Sequence, residues 1–431
     1  MQTYVVKRGD TLSAIAARYR TTVNEITEAN KLPNANTLVV GQTIVIPIAG
    51  QYYEVRQGDT LASIAGRFHI SAAELARVNG IQINTALQIG TRLYIPPQTN
   101  KPDIESNAYI EPRGTSVSAN LQQAAREASP YLTYLGAFSF QVQWNGTLKE
   151  PPLTNLKTIA DRNNTTLMMI VTNLENDAFS DELGRIILTD ETVKRKLLQE
   201  IVATAKKYGF RDIHFDFEYL RPQDKEAYNQ FLREARTIFH REGWLISTAL
   251  APKTSATQAG KWYEAHDYKA HGEIVDFVVI MTYEWGYSGG PAQAVSPIGP
   301  VRNVIEYALT EMPSRKIVMG QNLYGYDWTL PFKQGTTAKA VSPQQAIALA
   351  ARYKVDIEYN ETAQAPFFRY TDANNKRHEV WFEDARSIQA KFNLIKELHL
   401  RGISYWKLGL SFPQNWLLLG DQFHIVKQTF R

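Results

Sequence analysis

Cysteine is absent from the 431 residues, which removes disulfides, thiolate metal sites and cysteine nucleophiles from consideration. Long apolar runs are missing too. The most apolar stretch, Val275 to Met281, contains Asp276 and is far too short to span a bilayer. The N-terminus, MQTYVVKRGDTLSAIAARYR, breaks its apolar residues with Lys7, Arg8, Asp10, Arg18 and Arg20, so neither a cleavable signal peptide nor a membrane partner is expected. Charge of one sign is also scarce: the formal net charge is +4 and no basic stripe is interleaved with aromatics, so nucleic acid is not an expected partner. The first 97 residues hold 9 Lys and Arg against 6 Asp and Glu, a slight basic bias that suits an anionic polymer such as cell wall.

With 44% hydrophobic and 21% charged residues, the chain is long enough for one large core and something smaller. An ungapped internal repeat occupies the first 97 residues. YVVKRGDTLSAIAARYRTTVNEITEANKL matches YYEVRQGDTLASIAGRFHISAAELARVNGI, with Gly9 and Gly58, Asp10 and Asp59, Leu12 and Leu61, and Asn30 and Asn79 all 49 apart. Each unit reads as a short strand, a Gly-Asp turn, a helix capped by Thr11 or Thr60, a second helix ending at Asn30 or Asn79, and a closing strand before Pro47 or Pro96.

This βααβ pattern closely resembles the LysM domain, which binds the N-acetylglucosamine of peptidoglycan or chitin in a shallow groove. The groove lies between the loop after the first strand and the loop before the last. The resemblance implies modules at residues 1–48 and 51–97. It puts Gly9, Asp10, Thr11, Leu12 and Asn30 in the first groove, and Gly58, Asp59, Thr60, Leu61 and Asn79 in the second. Two weak sites on one chain add avidity for a polymer.

A polar, proline-bearing linker is expected at 98–106, QTNKPDIES. Beyond it, apolar strands alternate with amphipathic helices. Strands are predicted at Asn107–Ile110, Tyr131–Phe138, Thr166–Asn173, Asp212–Glu218, Leu245–Leu250, Asp276–Tyr283, Lys316–Asn322 and Gly402–Leu408. Eight such βα units predict an α/β fold, a closed (β/α)8 TIM barrel over 107–431, with the active site at the C-terminal ends of its strands. A small α+β insertion is expected between strands seven and eight, at about 329–382, with a hairpin turning at Asn374–Asn375.

The fourth strand, RDIHFDFEYL, alternates apolar Ile213, Phe215 and Phe217 with polar His214, Asp216 and Glu218. At i and i+2 the two carboxylates sit side by side, roughly 6 to 7 Å apart at their Cα atoms. They do not flank a sugar bond as the two carboxylates of most retaining glycosidases do.

RDIHFDFE resembles the strand-four signature of family 18 glycoside hydrolases, D-G-x-D-x-D-x-E, and MTYEW and YW match that family's strands six and eight. The resemblance implies Glu218 as general acid/base and Asp216 as orienter of the substrate's own 2-acetamido group. It implies Tyr283 as stabiliser of the resulting oxazolinium and Trp406 as floor under the sugar. Trp285, Tyr324, Asn322, Glu284 and His214 join them as substrate-binding candidates. Arg211, Asp212, His214 and Glu284 depart from the family pattern. A neutral His214 would exchange one hydrogen bond with its surroundings, whereas a protonated one would hold Asp216 ionised. Glu284 as a covalent nucleophile is the rival mechanism. No metal or cofactor is expected, because no further ligand cluster accompanies His214, Asp216 and Glu218.

Substrate assistance requires a 2-acetamido sugar, which in peptidoglycan places the cut after N-acetylglucosamine. The paired LysM units and runs such as ESNAYIEPRG, HFDFEYLRPQD, MTYEWGYSGGP and LYGYDW resemble the spore cortex-lytic N-acetylglucosaminidases of Bacillus-type spore formers. That implies a monomeric endo-acting enzyme of the spore, at the coat and cortex boundary, with peptidoglycan glycan strands as partner. A chitinase and a non-catalytic, glycan-binding coat protein remain as alternatives.

Overall fold

The computed structural model describes residues 1–33, 37–97 and 99–430; Gln98, the first residue of the expected linker, lies outside them. Eight parallel strands close on themselves: Asp103–Ile110, Tyr134–Val142, Thr166–Thr172, Asp212–Asp216, Leu245–Leu250, Phe277–Ile280, Ile317–Asn322 and Gly402–Trp406. This is the predicted TIM barrel. The first strand starts four residues earlier than its composition suggests. Its polar residues are satisfied at the barrel floor, where Glu105 accepts two hydrogen bonds from Arg401 at 2.7 and 2.9 Å and Ser106 donates to the Tyr131 carbonyl.

Strand four shows how the alternation works. Phe215 and Phe217 point outward, where Phe215 meets Phe231 at 5.0 Å and Phe217 meets Tyr228 at 5.7 Å. Those partners lie on the helix Lys225–Arg241, whose buried Tyr228, Phe231, Leu232, Ala235 and Phe239 form one apolar stripe. The intervening residues Asp212, His214 and Asp216 therefore face the barrel interior. Below them the interior is filled across its width, as in the stack of Tyr134 on Phe277 at 5.3 Å.

Between strands seven and eight a five-stranded antiparallel sheet stands beside the mouth, in the order Lys339–Val341, Gly325–Leu330, Arg377–Trp381, Ala365–Thr371, Glu358–Asn360, with a helix at Pro343–Tyr353. It begins at Gly325 rather than Thr329. The run GYDWTL pairs with the strand Arg377–Trp381 and directs Tyr326 and Trp328 into an aromatic cluster with Tyr283, Tyr324 and Trp381.

Both repeats form two-stranded sheets of matching register, Gln2 opposite Ile46 and Gln51 opposite Ile95. Thr11 and Thr60 cap their first helices, accepting from the backbone of Ala14 and Ser63.

Candidate active site

The strand-four ladder ends at Asp216, so Glu218 lies just beyond the strand that was expected to carry it. A side chain just past the end of strand three holds it there instead. Asn173, fully buried, donates through Nδ2 to the Glu218 carbonyl at 2.9 Å and accepts the Glu218 N–H through Oδ1 at 3.0 Å. This amide clamp replaces the missing ladder bonds and fixes the backbone that aims the carboxylate.

Glu218 is 9% exposed, and its Oε2 accepts the indole N–H of Trp262 at 2.5 Å. Burial raises its pKa well above the usual carboxylate range, the neighbouring Asp216 charge raises it further, and the Trp262 bond opposes both. Burial likewise raises the pKa of Asp216. Two such carboxyls side by side resist ionising together in one dry site. The buried Oδ1 of Asp216 has no hydrogen-bond partner among the described residues.

His214 is not at the surface of the cleft. It is completely buried beneath Asp216, with Nδ1 at 2.8 Å from the Ser247 hydroxyl and Nε2 at 3.0 Å from the Tyr109 hydroxyl; Ser247 in turn donates to Asp212 at 2.9 Å. Burial lowers the imidazole pKa to about 3 and pushes the Asp212 carboxyl up to about 8. The imidazole is therefore neutral, and substrate contact through His214 is corrected to a supporting position. Asn322 is corrected in the same way: it is fully buried, and its Nδ2 donates to the Tyr324 carbonyl at 2.7 Å, shaping the turn that carries Tyr324.

Tyr283 and Trp406 do reach the mouth. Tyr283 is 9% exposed, and burial raises its pKa so that it remains a donor. Gly320 makes room for it, since a Cβ there would sit 2.9 Å from the tyrosine ring and 2.5 Å from the Ile280 carbonyl oxygen. Trp406 is held edge-on by Phe138 at 4.8 Å and Tyr109 at 5.4 Å. Glu284 adopts a left-handed φ of 67° that turns its carboxylate to the insertion, where the Tyr324 and Tyr326 hydroxyls donate to it. Trp285, with Trp262, Tyr263, Tyr283 and Glu284, lines a cleft of about 370 Å³. Exposed Trp144 and Tyr219 extend an aromatic rim, Tyr219 stacking on Trp262 at 6.1 Å with the rings 12° apart. Among the described residues no cluster of three or more His, Asp or Glu could hold a metal, and no helix is long and apolar enough to cross a membrane.

The LysM candidates divide between backbone and core. Asn30 bonds the backbone of Ile26 and Val45 through its amide, and Asn79 repeats this with Leu75 and Tyr94. Leu12 and Leu61 are core residues, while the Asp10 and Asp59 carboxylates each accept from a tyrosine hydroxyl and a turn N–H. These side chains build the modules; Gly9, Thr11, Gly58 and Thr60 remain exposed on the turns.

Asn173 and Trp262 carried no signal in the sequence. Asn173 ends a strand as any polar residue might, and Trp262 sits in an irregular loop 44 residues from the carboxylate it touches.

A closed barrel with paired carboxyls at the end of strand four, beneath an aromatic rim suited to pyranose rings, defines the class as a barrel glycoside hydrolase. The chain belongs to glycosyl hydrolases family 18, whose model matches residues 108–410, and it carries two LysM domains, matched at 4–47 and 53–96. It is 82% identical over 432 residues to the Cortical fragment-lytic enzyme of Bacillus subtilis (strain 168), covering 100% of both chains. It is 55% identical to the Cortical fragment-lytic enzyme of Bacillus anthracis, covering 99% of this chain and 100% of that one. The crystal structure of the Bacillus megaterium QM B1551 spore cortex-lytic enzyme SleL matches it with a TM-score of 0.92 at 56% identity, covering 99% of each chain.

Proposed function

We propose that this enzyme hydrolyses the β-1,4 bond following N-acetylglucosamine in spore cortex peptidoglycan, by a retaining mechanism in which the substrate's own acetamido group is the nucleophile. One observation carries the mechanism: Asp216, whose buried Oδ1 has no protein partner among the described residues, lies beside a carboxyl whose burial favours its protonated form. Glu218 donates its proton to the glycosidic oxygen as the bond to C1 breaks, and the acetamido carbonyl oxygen attacks C1 from the other side. Asp216 accepts the acetamido N–H and so orients it, while the Tyr283 hydroxyl donates to the acetamido oxygen. Glu218, now a carboxylate, takes a proton from water as that water opens the oxazolinium at C1. Trp406 gives the sugar a flat apolar floor. Glu284, held by two tyrosine hydroxyls, serves as an anchor for the insertion rather than as a covalent nucleophile.

Cortex specificity is supported by the full-length identity to the cortical fragment-lytic relatives and by the paired LysM modules, which would hold a glycan strand near the barrel. N-acetylmuramic acid carries a 3-lactyl group that crowds such a site, and muramic lactam has no free acetamido group to assist. The same relatives favour a location in the spore. Digestion of purified cortex by wild type and Glu218→Gln, with fragments identified by mass spectrometry, tests the reading. Fragments ending in reducing N-acetylglucosamine from the wild type alone support it. Cleavage of chitin but not cortex would replace the substrate, and sedimentation with cortex without cleavage would leave only a binding protein.

A further inference from the structure

The two LysM modules match position for position in sequence, but the structure places them in different surroundings. In module 1 the loop before the closing strand runs along the insertion. Val39 is buried in the core formed by Val341, Ala346, Ile357 and Phe368, and the Val40 carbonyl accepts the Ile357 N–H at 2.8 Å. The Gly41 carbonyl accepts from Arg386 at 3.1 Å, and Thr43 donates to Asp384 at 2.9 Å. Asn30 is tied through its carbonyl to Gln344 at 2.9 Å and through Oδ1 to Gln414 at 3.2 Å. A Cβ on Gly41 would lie 1.8 Å from the Ile357 carbonyl oxygen, so the seam is closed at backbone distance.

In module 2 the same loop is bare. Val39, Val40 and Thr43 are replaced by Gln88, Ile89 and Arg92. Ile83 and Ile89 are 52% and 71% exposed, and a Cβ on Gly90 would meet nothing within 4 Å. Arg92 stacks on its own module's Tyr52 at 4.4 Å and reaches module 1, its guanidinium 4.9 Å from the Tyr19 ring and donating to the Arg18 carbonyl at 3.1 Å. Copy 1 thus carries the residues that dock, and copy 2 carries polar or exposed ones at the same positions.

We propose that the modules divide the work. Module 2 holds the glycan, with Ile83 and Ile89 lying against the apolar faces of its sugars. Module 1 is a brace whose second loop is committed to the insertion, where it steadies the wall bearing Tyr326 and Trp328. This rests on the reading above that the protein binds N-acetylglucosamine polymers. It replaces simple avidity of two equal sites with one site rigidly placed relative to the cleft.

Matched variants of the full chain test it. Gly41→Ala and Gly90→Ala introduce the same methyl at φ of +82° and +84°, so backbone strain cancels between them and only the seam differs. Gly41→Ala should lower Tm by about 4 °C more than Gly90→Ala and reduce kcat/KM on a soluble N-acetylglucosamine oligosaccharide, while its retention on sedimented cortex stays within twofold of wild type. Ile83→Ser with Ile89→Ser alters exposed side chains only, and should weaken retention by at least about fivefold with Tm unchanged. Equal effects of the two glycine variants, or unaltered retention in the isoleucine variant, overturn the division while leaving glycan binding intact. A wild type that does not sediment with cortex overturns both.

Discussion

Asp212 and His214 lie on one strand with Asp216, Glu218 follows just beyond its end, and all four are buried, yet the two pairs differ in one respect. The lower pair is joined into a closed network through Ser247 and Tyr109, whereas the upper pair keeps an acceptor oxygen free. Buried polar groups that find protein partners make scaffold, and those left without one at a barrel mouth await a substrate. The difference separates two roles within seven consecutive residues, Asp212 to Glu218.

The comparison breaks first at Glu218. Glu218→Gln keeps the shape and removes the proton, and kcat on cortex should fall between about a hundredfold and ten-thousandfold with little change in Tm. Asp216→Asn comes next. It replaces the open acceptor with an amide of the same size, and a loss of about a hundredfold in kcat is expected, since one group aimed at developing charge is worth that much.

The lower pair should respond in stability instead. The folded pKa of His214 is lowered to about 3 from an ordinary 6.5, so its contribution is fully present above pH 6.5 and is lost as pH falls toward 3. Asp212, raised to about 8 from 3.8, works in the opposite sense and loses its contribution as pH rises through that window. Wild type should therefore lose Tm more steeply than His214→Gln between pH 6.5 and 4.5. Parallel slopes would mean that the imidazole is not held neutral by burial. At pH 7 the same variant should lower Tm by several degrees, because it takes a buried partner from Ser247 or Tyr109 at about 1 to 3 kcal/mol.

The smallest effect sharpens the comparison from the side. Trp262→Phe removes the bond that favours the Glu218 anion, so the pKa of the acid rises. Activity that is lost as Glu218 deprotonates should then persist to higher pH, and the alkaline limb of the kcat/KM profile moves up. The rate near neutrality should change by about tenfold at most. An unmoved limb would assign that limb to another group.

Much of this was legible in the sequence. The alternation of RDIHFDFEYL fixed which residues face the barrel interior, and counting βα units gave a closed sheet. Strand ends were less legible, because Glu218 is held by Asn173, 45 residues away, and not by its own ladder. His214 and Asn322 read as contact residues because polarity on an inward face does not reveal depth. The unequal modules escaped for a related reason: a 49-residue repeat advertises sameness, and the positions that break it matter only once Ile357 and Asp384 are seen opposite them.

The measurement that tests the central claim most directly is the rate on soluble oligosaccharides whose N-acetyl groups carry zero, one, two or three fluorines. Fluorine weakens the carbonyl oxygen as a nucleophile without much altering its size. If the acetamido group attacks C1, kcat/KM falls with each fluorine, by more than about tenfold across the series, or 1.4 kcal/mol in the barrier. A rate indifferent to fluorine would contradict substrate assistance and return the role of nucleophile to a protein carboxylate, with Glu284 the residue to examine.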